Sequence, residues 1–277
     1  MKIFIVGLGL MGASYAEKLS LQGHQVYGYD VNKSNVLQAE KDGVILETSN
    51  LSQLALADVV ILAMYPKQNI SFVKDHLHLF KKGVLLTDIS GVKEKIVSEI
   101  EALISEDLHF VSHHPMAGRA KKGYDARDPH MFLNNHFLII ESTKATLSDY
   151  ELLEIIGKQL GFKTITKISA EKHDQMIAYT SQLTHVIAVS LMLGHEHVDR
   201  VFTGDSFRDL TRIAHINETL WTELFLSNQP HLLDAIQQFK DQLSNIENAI
   251  INQDAETLMA LLKTSREKRK AFDHDPS

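Results

Sequence analysis

The sequence predicts an α/β protein in two parts, a parallel-sheet domain followed by an all-helical domain. In the first 168 residues, short β-rich runs alternate with longer helical patterns, and the runs are apolar on both faces, as in a sheet covered by helices on each side. From residue 169 to 277, helical periodicity dominates. With 277 residues, 44% of them hydrophobic and 23% charged, the chain is long enough to bury the cores of two modest domains.

Seven strands are predicted from β-rich composition and flanking turn residues. They lie at residues 3–6, 25–29, 59–64, 84–89, 109–112, 137–141 and 163–168. Mixed polar and apolar stretches at 11–21 and 92–104 predict helices between them. Ser169 is the expected N-cap of a long helix reaching about Gly194, and residues 228–230 separate two later helices.

An apolar stripe marks one face of a helix in the second part. Six residues keep to this face by helical spacing: Leu232, Ile236, Phe239, Leu243, Ile246 and Ile250. A small helical domain with this much apolar surface commonly buries it against a second copy. We therefore expect a homodimer formed through the helical domain.

Composition excludes several kinds of partner. The net charge of −7 argues against broad binding to nucleic acid or anionic membranes. Without cysteine the chain forms no disulfide, iron–sulfur cluster or thiol nucleophile, and we expect no metal site. Two glycines interrupt the N-terminal apolar run, and no uninterrupted run approaches the roughly 20 apolar residues of a membrane span. We expect a cytoplasmic protein with no nucleic-acid and no membrane partner.

A glycine fingerprint follows the first strand. Gly7, Gly9 and Gly12 form a G-x-G-x-x-G pattern that opens a helix at Leu10 and Met11. The first glycine permits the tight turn, the second admits the pyrophosphate of a dinucleotide, and the third allows close packing of helix on strand. The N–H groups at the helix start favour the phosphate charge. In this context the pattern predicts a dinucleotide-binding Rossmann domain.

An acidic residue ends the second predicted strand. Asp30, 18 residues past the last fingerprint glycine, can bind the ribose hydroxyls and repel a 2′-phosphate, which favours NAD over NADP. Asn32 and Lys33 could weaken that repulsion. Ala63 and Met64, at the end of the third predicted strand, should border the cofactor. The alternative is a glycine turn in a flavodoxin-like sheet with a merely exposed Asp30.

Side chains that can bind or take up protons lie at the ends of two more predicted strands, in the segments 88–93 and 112–118. Ligands bind at the carboxyl ends of parallel strands, so both segments should open onto one crevice. Pro115 restricts the backbone at His114, and a neutral imidazole there can accept a hydroxyl proton while hydride leaves the same carbon. Ser90 could orient that imidazole or the substrate hydroxyl. The alternative is a solvated or packed His114, since the chain has 15 histidines.

Polar groups in the helical part offer a second set of candidates. Ser181, Gln182 and His185 share one helical face, which could line a site, although a buried and satisfied His185 is equally compatible with the spacing. Further along, Arg212 could pair with Asp209 on an exposed face. It could instead point inward and offer its guanidinium to a carboxylate.

Taken together, these segments resemble the prephenate dehydrogenases, a family that includes arogenate dehydrogenases. The resemblance runs from the glycine fingerprint through 88–93 and 112–118 to 207–214 and Trp221. It implies a Rossmann domain followed by a helical dimerisation domain. It also implies the oxidative decarboxylation of prephenate to 4-hydroxyphenylpyruvate in tyrosine biosynthesis, with NAD⁺ reduced to NADH. Arogenate is the alternative substrate.

The resemblance also implies roles for individual residues. The catalytic histidine of the family corresponds to His114 and its partner serine to Ser90, whereas His185 and Arg212 correspond to substrate-binding residues. Asp209 is a neighbour that could tune Arg212.

Two positions depart from the family pattern. Many members carry an acidic residue where this chain has Arg119-Ala120, and some relatives have histidine at the position of Gln182. The choice between prephenate and arogenate could be made around these positions. Any feedback by tyrosine would have to act through the two domains.

Two other classes of protein remain open. A β-hydroxyacid dehydrogenase could use Lys172 as its helical lysine, but Met176 stands where that family has asparagine, and His114-Pro115 is then unexplained. A non-catalytic NAD sensor would need the fingerprint but not His114, Ser90 and Arg212 together.

Overall fold

A computed structural model describes residues 1–46, 50–118, 121–194 and 196–273. By packing, the chain forms two compact units, Met1–Asn228 and Gln229–Ser277. The first unit holds both sheets and the helices up to Asn228. The boundary predicted at residues 168 and 169 marks a change in secondary structure, and as a domain boundary it stays a prediction.

The first unit is built on a five-stranded parallel sheet. Its strands are β1 (Lys2–Val6), β2 (Gln25–Tyr29), β3 (Val59–Leu62), β4 (Leu85–Asp88) and β5 (His109–Phe110), in the order β2-β1-β3-β4-β5. The order turns back at β1 and β3, which makes a crevice at their carboxyl ends. The predicted α/β class is confirmed.

Helices cover both faces of this sheet. They are α1 (Leu10–Leu21), α2 (Lys33–Lys41), α3 (Pro66–His76) and α4 (Glu94–Leu103). Side chains alternate along β1, so Ile3 and Ile5 enter one apolar core while Phe4 and Val6 enter the other. All four are fully buried, which explains why this strand is apolar without alternation.

A second, mixed sheet follows. It consists of β6 (His113–Pro115), β7 (His136–Ile140) and β8 (Thr164–Ile168), with α5 (Leu147–Leu160) between the last two. Strand β6 runs antiparallel to β7, whereas β7 and β8 are parallel. The predicted strand at 109–112 therefore ends early, and the chain pairs again in β6. The three-residue β6 ends at Pro115, which has no N–H for a ladder bond.

The remainder of the first unit is helical. It comprises α6 (Ala170–Ile177), a π-helical turn (Ala178–Gln182), α7 (Leu183–Leu193), α8 (Asp205–Thr211), a 3₁₀ turn (Arg212–Ala214) and α9 (Glu218–Ser227). Ser169 caps α6, because its side chain accepts the N–H of Lys172. The predicted helix start is confirmed. The second unit consists of α10 (Gln229–Ile251) and α11 (Ala255–Asp273), which contact each other.

One helix within the described residues, Ala170–Leu193, is long and apolar enough to cross a membrane by length and composition alone. The expectation of no membrane span was based on uninterrupted apolar runs alone, and polar residues interrupt this helix. Core helices of soluble proteins meet the same criteria. This helix carries three buried polar side chains, His173, Asp174 and Gln182, and all three hydrogen-bond within the first unit.

Candidate active site

The glycine fingerprint forms a tight turn between β1 and α1. Gly7 has φ +97°, and a Cβ there would lie 2.8 Å from Cγ of Met64 and 2.9 Å from the carbonyl oxygen of Ala63. A Cβ on Gly12 would overlap the carbonyl oxygen of Gly7. Both positions therefore require glycine for packing, and the same contacts place Ala63 and Met64 beside the turn.

The middle glycine has no such packing reason. Gly9 has φ −74°, and no heavy atom of the described residues lies within 4 Å of the place its Cβ would take. The space over Gly9 is open, next to the N-terminus of α1, whose first N–H groups have no partner within the helix. Leu10 and Met11 begin that helix. The turn therefore fits an anionic group such as a pyrophosphate.

Asp30 is anchored beside this turn. One carboxylate oxygen accepts the N–H of Leu8 at 2.7 Å, and the other accepts the N–H of Asn32 at 2.7 Å. Each oxygen keeps a lone pair that a ribose hydroxyl can use. Asp30 is therefore not a merely exposed residue, as the flavodoxin-like alternative would have it.

A cleft of about 280 Å³ lies along the same edge of the sheet. Its lining includes Tyr29 and Val31, the neighbours of Asp30 in sequence, together with Met64, Gln68 and Phe72. Its position at the ends of β2 and β3 is where the adenosine half of a dinucleotide lies in Rossmann domains.

His114 lies in β6 and is half-buried. Its Nδ1 lies 2.8 Å from Nε2 of His173, and Nδ1 of His173 lies 2.7 Å from the carboxylate of Asp174. Asp174 in turn accepts the backbone N–H groups of Lys93, at 2.8 Å, and Glu94, at 2.9 Å. The middle of α6 is thereby fixed to the start of α4.

The second ring nitrogen of His114 faces the loop after β4. Nε2 lies 4.0 Å from the place a Cβ on Gly91 would take, and it has no hydrogen-bond partner among the described residues. Burial holds the pKa of His114 well below its usual range, with further lowering by the cationic forms of His173, Lys93 and His113. The imidazole is therefore neutral near pH 7, as a proton acceptor must be.

Ser90 is held by a different residue. Its Oγ accepts a hydrogen bond from Nδ2 of Asn69 at 3.3 Å, and Oδ1 of Asn69 accepts the N–H of Met64 at 3.1 Å. The ring of His114 is oriented by His173 instead. Of the two roles expected for Ser90, orienting the imidazole is not observed, and binding a substrate hydroxyl remains.

A buried ion pair shapes the loop that carries Ser90. Asp88 accepts the N–H of Ser90 at 2.7 Å and lies 3.2 Å from Nζ of Lys93. Lys93 Nζ also donates to the carbonyl oxygen of His113 at 2.7 Å, and Ser112 donates to the other oxygen of Asp88. Burial lowers the pKa of Lys93, while Asp88 opposes that shift. The network joins β4 to β6 beneath the crevice.

His113 and His114 have opposite environments. His113 is fully buried, 2.9 Å from the hydroxyl of Tyr15 and 2.7 Å from that of Thr87. Burial, and then the charge of Lys93, lower its pKa well below the usual range. His113 is thus a satisfied core histidine, whereas its neighbour opens to the crevice.

His185 projects from α7 and stacks on an aromatic ring. Its ring centroid lies 3.6 Å from that of Trp221, at an interplanar angle of 30°. Nδ1 lies 2.8 Å from the carbonyl oxygen of Ser181, and because a carbonyl only accepts, Nδ1 carries the proton. Burial lowers the pKa of His185, opposed by that hydrogen bond. In the neutral ring, Nε2 is therefore an acceptor.

Arg212 begins the 3₁₀ turn after α8, and this turn packs against α7. The side chain is exposed and makes no hydrogen bond or ion pair with any described residue. The pair with Asp209, one of the two possibilities left open for Arg212, does not form among the described residues. Arg208 pairs with Asp205 instead, one turn earlier. The guanidinium of Arg212 is therefore available to a ligand.

Gln182 and Lys172, two residues raised by the sequence, have limited roles here. Gln182 is buried, donating to the carbonyl oxygen of Leu224 at 3.2 Å and accepting from Asn228 at 2.8 Å, so its amide is committed to packing. Arg119 and Ala120 lie outside the described residues. Lys172, the lysine required by the β-hydroxyacid dehydrogenase alternative, is exposed while the adjacent His173 is buried.

Sequence reasoning missed His173, Asp174 and Asn69. The first two share a helical face with the buried Ile177 and Ala178, and this helical pattern was a usable signal. Asn69 lies inside α3 with no pattern that distinguishes it from an exposed asparagine.

Comparison with known proteins gives a consistent result. The family model for "Prephenate dehydrogenase, nucleotide-binding domain" matches residues 15–165, and that for "Prephenate dehydrogenase, dimerization domain" matches residues 169–264. The prephenate dehydrogenase of Lactococcus lactis subsp. cremoris is 31% identical over 283 residues, covering 98% of this chain and 77% of that protein.

Solved structures agree with the sequence comparison. The prephenate dehydrogenase of Aquifex aeolicus, crystallised with hydroxyphenyl propionate and NAD⁺, superposes with a TM-score of 0.89 at 26% identity over 98% of both chains. The arogenate dehydrogenase of Synechocystis superposes with a TM-score of 0.86 at 27% identity, covering 98% of this chain and 100% of that one.

Proposed function

Because this chain belongs to the prephenate dehydrogenase family, we propose that it oxidatively decarboxylates prephenate to 4-hydroxyphenylpyruvate in tyrosine biosynthesis, with NAD⁺ as oxidant. One observation carries the proposal. Nε2 of a neutral His114, which has no hydrogen-bond partner in the described part of the chain, faces the loop after β4, at the sheet edge where the glycine turn and Asp30 also lie. This is the place for a base that acts beside a bound dinucleotide.

The fingerprint residues are proposed to hold the cofactor. Gly7, Gly9 and Gly12 form the turn for the pyrophosphate, and the N–H groups of Leu10 and Met11 face its charge. When bound, NAD⁺ supplies the hydride acceptor. We propose that Asp30 binds the ribose hydroxyls and disfavours the 2′-phosphate of NADP, and that Ala63 and Met64 border the bound dinucleotide.

His114 is proposed as the general base. It accepts the proton of the C4 hydroxyl as C4 loses hydride to NAD⁺ and becomes a carbonyl. The ring carboxylate then leaves as CO₂, and its electron pair passes through the ring to the C4 oxygen. That oxygen takes the proton back from His114, so the products are 4-hydroxyphenylpyruvate, CO₂ and NADH. Ser90 is proposed to bind the hydroxyl while it reacts.

Arg212 and His185 are proposed to bind the side chain of the substrate. A cation on the departing ring carboxylate would stabilise the ground state and slow the loss of CO₂. We therefore assign Arg212 to the pyruvyl carboxylate, which does not react. His185 lies on α7, against which the turn carrying Arg212 packs, and its ring stacks on that of Trp221.

Arogenate is the second candidate substrate. It carries an ammonium group where prephenate has a keto oxygen. Nε2 of neutral His185, for which no partner is seen among the described residues, is an acceptor, which suits an ammonium better than a keto oxygen. The structural likeness to the arogenate dehydrogenase of Synechocystis supports the same candidate.

The assembly is proposed to be a cytoplasmic homodimer. The match to a dimerisation-domain model over residues 169–264 supports this. In the single chain, α7 leaves Leu193 81% exposed, and α10 leaves Leu243 and Ile250 more than half exposed. Apolar surface of this kind is stabilised by burial against a second copy.

The proposed function is tested by following NADH absorbance. The protein is assayed with prephenate, arogenate and 3-hydroxyisobutyrate, each with NAD⁺ and with NADP⁺. Turnover of prephenate with NAD⁺ is expected. Turnover of arogenate alone would reassign the substrate, and turnover of 3-hydroxyisobutyrate alone would overturn the assignment to this family's reaction.

A further inference from the structure

Hydrogen bonds fix the tautomer of His173 and, through it, the tautomer of His114. Asp174 accepts N–H groups from Lys93 and Glu94, so its carboxylate is an acceptor toward His173 as well. Nδ1 of His173 must therefore carry the proton, which leaves its Nε2 with a lone pair. That lone pair lies 2.8 Å from Nδ1 of His114, which must then be the protonated nitrogen of His114.

We infer that His173 is a positioning residue for His114: by accepting its Nδ1 proton, His173 makes Nε2 the nitrogen that takes the substrate proton. The inference rests on the proposed function, in which His114 is the base. Asp174 acts one step further away by fixing the tautomer of His173. A neutral histidine in water favours the proton on Nε2, so without His173 the ring would present an N–H to the substrate instead of a lone pair.

The arrangement also matters while His114 is charged. His114 holds the substrate proton between loss of hydride and release of CO₂, and it does so near three other groups that can be cationic, His173, Lys93 and His113. The side of the ring that faces α6 offers a neutral acceptor backed by the carboxylate of Asp174. This lowers the free energy of the imidazolium without placing a permanent negative charge against His114.

The first test uses the wild-type protein and needs no turnover. In the protein labelled with ¹⁵N-histidine, long-range ¹H–¹⁵N correlation spectra distinguish protonated from unprotonated ring nitrogens. His114→Asn and His173→Gln identify the two sets of signals. We expect the proton on Nδ1 in both rings above neutral pH. A proton on Nε2 of His114 would overturn the inference.

The second test compares two substitutions of His173. Glutamine can accept from Nδ1 of His114 and donate to Asp174, whereas leucine fills the space but can do neither. Loss of a correctly oriented base costs about 100-fold or more in kcat. We therefore expect His173→Leu to lower kcat about 100-fold and His173→Gln to stay within about tenfold of wild type, with KM for NAD⁺ nearly unchanged in both.

Lys172→Leu, the same change at the exposed neighbour, is the control and should leave kcat unaltered. A folded His173→Leu protein with the kcat of wild type would overturn the inference, as would equal losses in the two His173 variants. If His173→Leu does not fold, the wild-type spectra still show which ring nitrogen of His114 carries the proton. If wild type turns over none of the substrates, the proposed function fails, while the spectra still report on the hydrogen bond to His173.

Discussion

Nζ of Lys93 lies 3.2 Å from the carboxylate of Asp88, and both side chains are fully buried. The pair connects the loop after β4 with β6, through the N–H of Ser90 on one side and the carbonyl oxygen of His113 on the other. Removing one member of such a pair leaves the other as an uncompensated buried charge.

Lys93→Met should therefore lower the free energy of unfolding by about 3–5 kcal/mol. Lys93→Met combined with Asp88→Asn should recover a large part of that loss, because no charge remains and the amide can still accept the N–H of Ser90. Urea unfolding of wild type, single and double variants measures both effects. A double variant that is less stable than Lys93→Met would contradict this account of the pair.

The open space over Gly9 predicts a loss of cofactor binding without a loss of stability. A Cβ on Gly9 meets no described atom and its φ of −74° suits alanine, so Gly9→Ala should melt within a few degrees of wild type. The methyl group would occupy the space assigned to the pyrophosphate. KM for NAD⁺ should rise about tenfold or more, equivalent to about 1.4 kcal/mol.

Gly12→Ala is the matched control, because its Cβ would overlap the carbonyl oxygen of Gly7 and should destabilise the fold itself. Thermal melting and NADH initial rates at varied NAD⁺ separate the two effects. If Gly9→Ala binds NAD⁺ as wild type does, the pyrophosphate lies elsewhere.

Burial of His113 predicts a loss of stability in acid. Its folded pKa lies well below the value of about 6.5 expected in the unfolded chain. Below about pH 6.5 the unfolded state takes up a proton that folded His113 does not. The free energy of unfolding should then fall by up to about 1.4 kcal/mol per pH unit from this residue alone, until the folded pKa is reached.

Urea unfolding between neutral pH and about pH 5 measures how steeply the free energy of unfolding changes with pH. His113→Gln should make this dependence less steep by the contribution of one histidine. His114 and His173, whose pKa values are also lowered, continue to contribute in that variant. An identical slope in wild type and His113→Gln would show that His113 does not carry the effect.

Local features of this chain could be predicted and long-range ones could not. The strands, the glycine turn and the cap at Ser169 follow from neighbouring residues, because period and backbone geometry are encoded locally. The strand end also makes His114 a candidate base. The partner that orients it, His173, is 59 residues away in sequence, and Asp174 reaches Lys93 across 81 residues. Only the packing of α6 on α4 brings these groups together.

The same limit explains one strand bound that was wrong and one possible ion pair that does not form. Residues 109–112 have the composition of one strand, but side-chain bonds from Ser112 to Asp88 and from His113 to Thr87 hold the chain where it leaves the first sheet and pairs with β7. Asp209 has the spacing to pair with Arg212, but spacing does not fix which rotamers two exposed side chains adopt.

His114→Asn should abolish most of the turnover and leave NAD⁺ binding intact. Asparagine can donate to Nε2 of His173 and so keep the geometry, but it does not take up a proton near neutral pH. Loss of a general base lowers kcat by about 10²–10⁴-fold. NADH initial rates give kcat, and calorimetric titration gives the Kd of NAD⁺. A variant with normal turnover would remove His114 from the mechanism.

His185 predicts that the preferred substrate changes with pH. Burial lowers its pKa, so the ring loses its second proton on the acid side of neutrality and Nε2 becomes an acceptor above that point. The protonated ring can donate to the keto oxygen of prephenate, whereas the neutral ring can accept from the ammonium of arogenate. The ratio of kcat/KM for arogenate to that for prephenate should therefore rise with pH through the pKa of His185.

Initial rates with both substrates between about pH 5 and pH 8 test this, because titration of His114 affects both reactions and cancels in the ratio. His185→Asn should make the ratio independent of pH. Arg212→Ala is the control: it should raise KM for both substrates, whose side chains share the carboxylate, and leave the pH dependence of the ratio in place. A wild-type ratio that stays constant across this range would mean that Nε2 of His185 does not contact the group in which the two substrates differ.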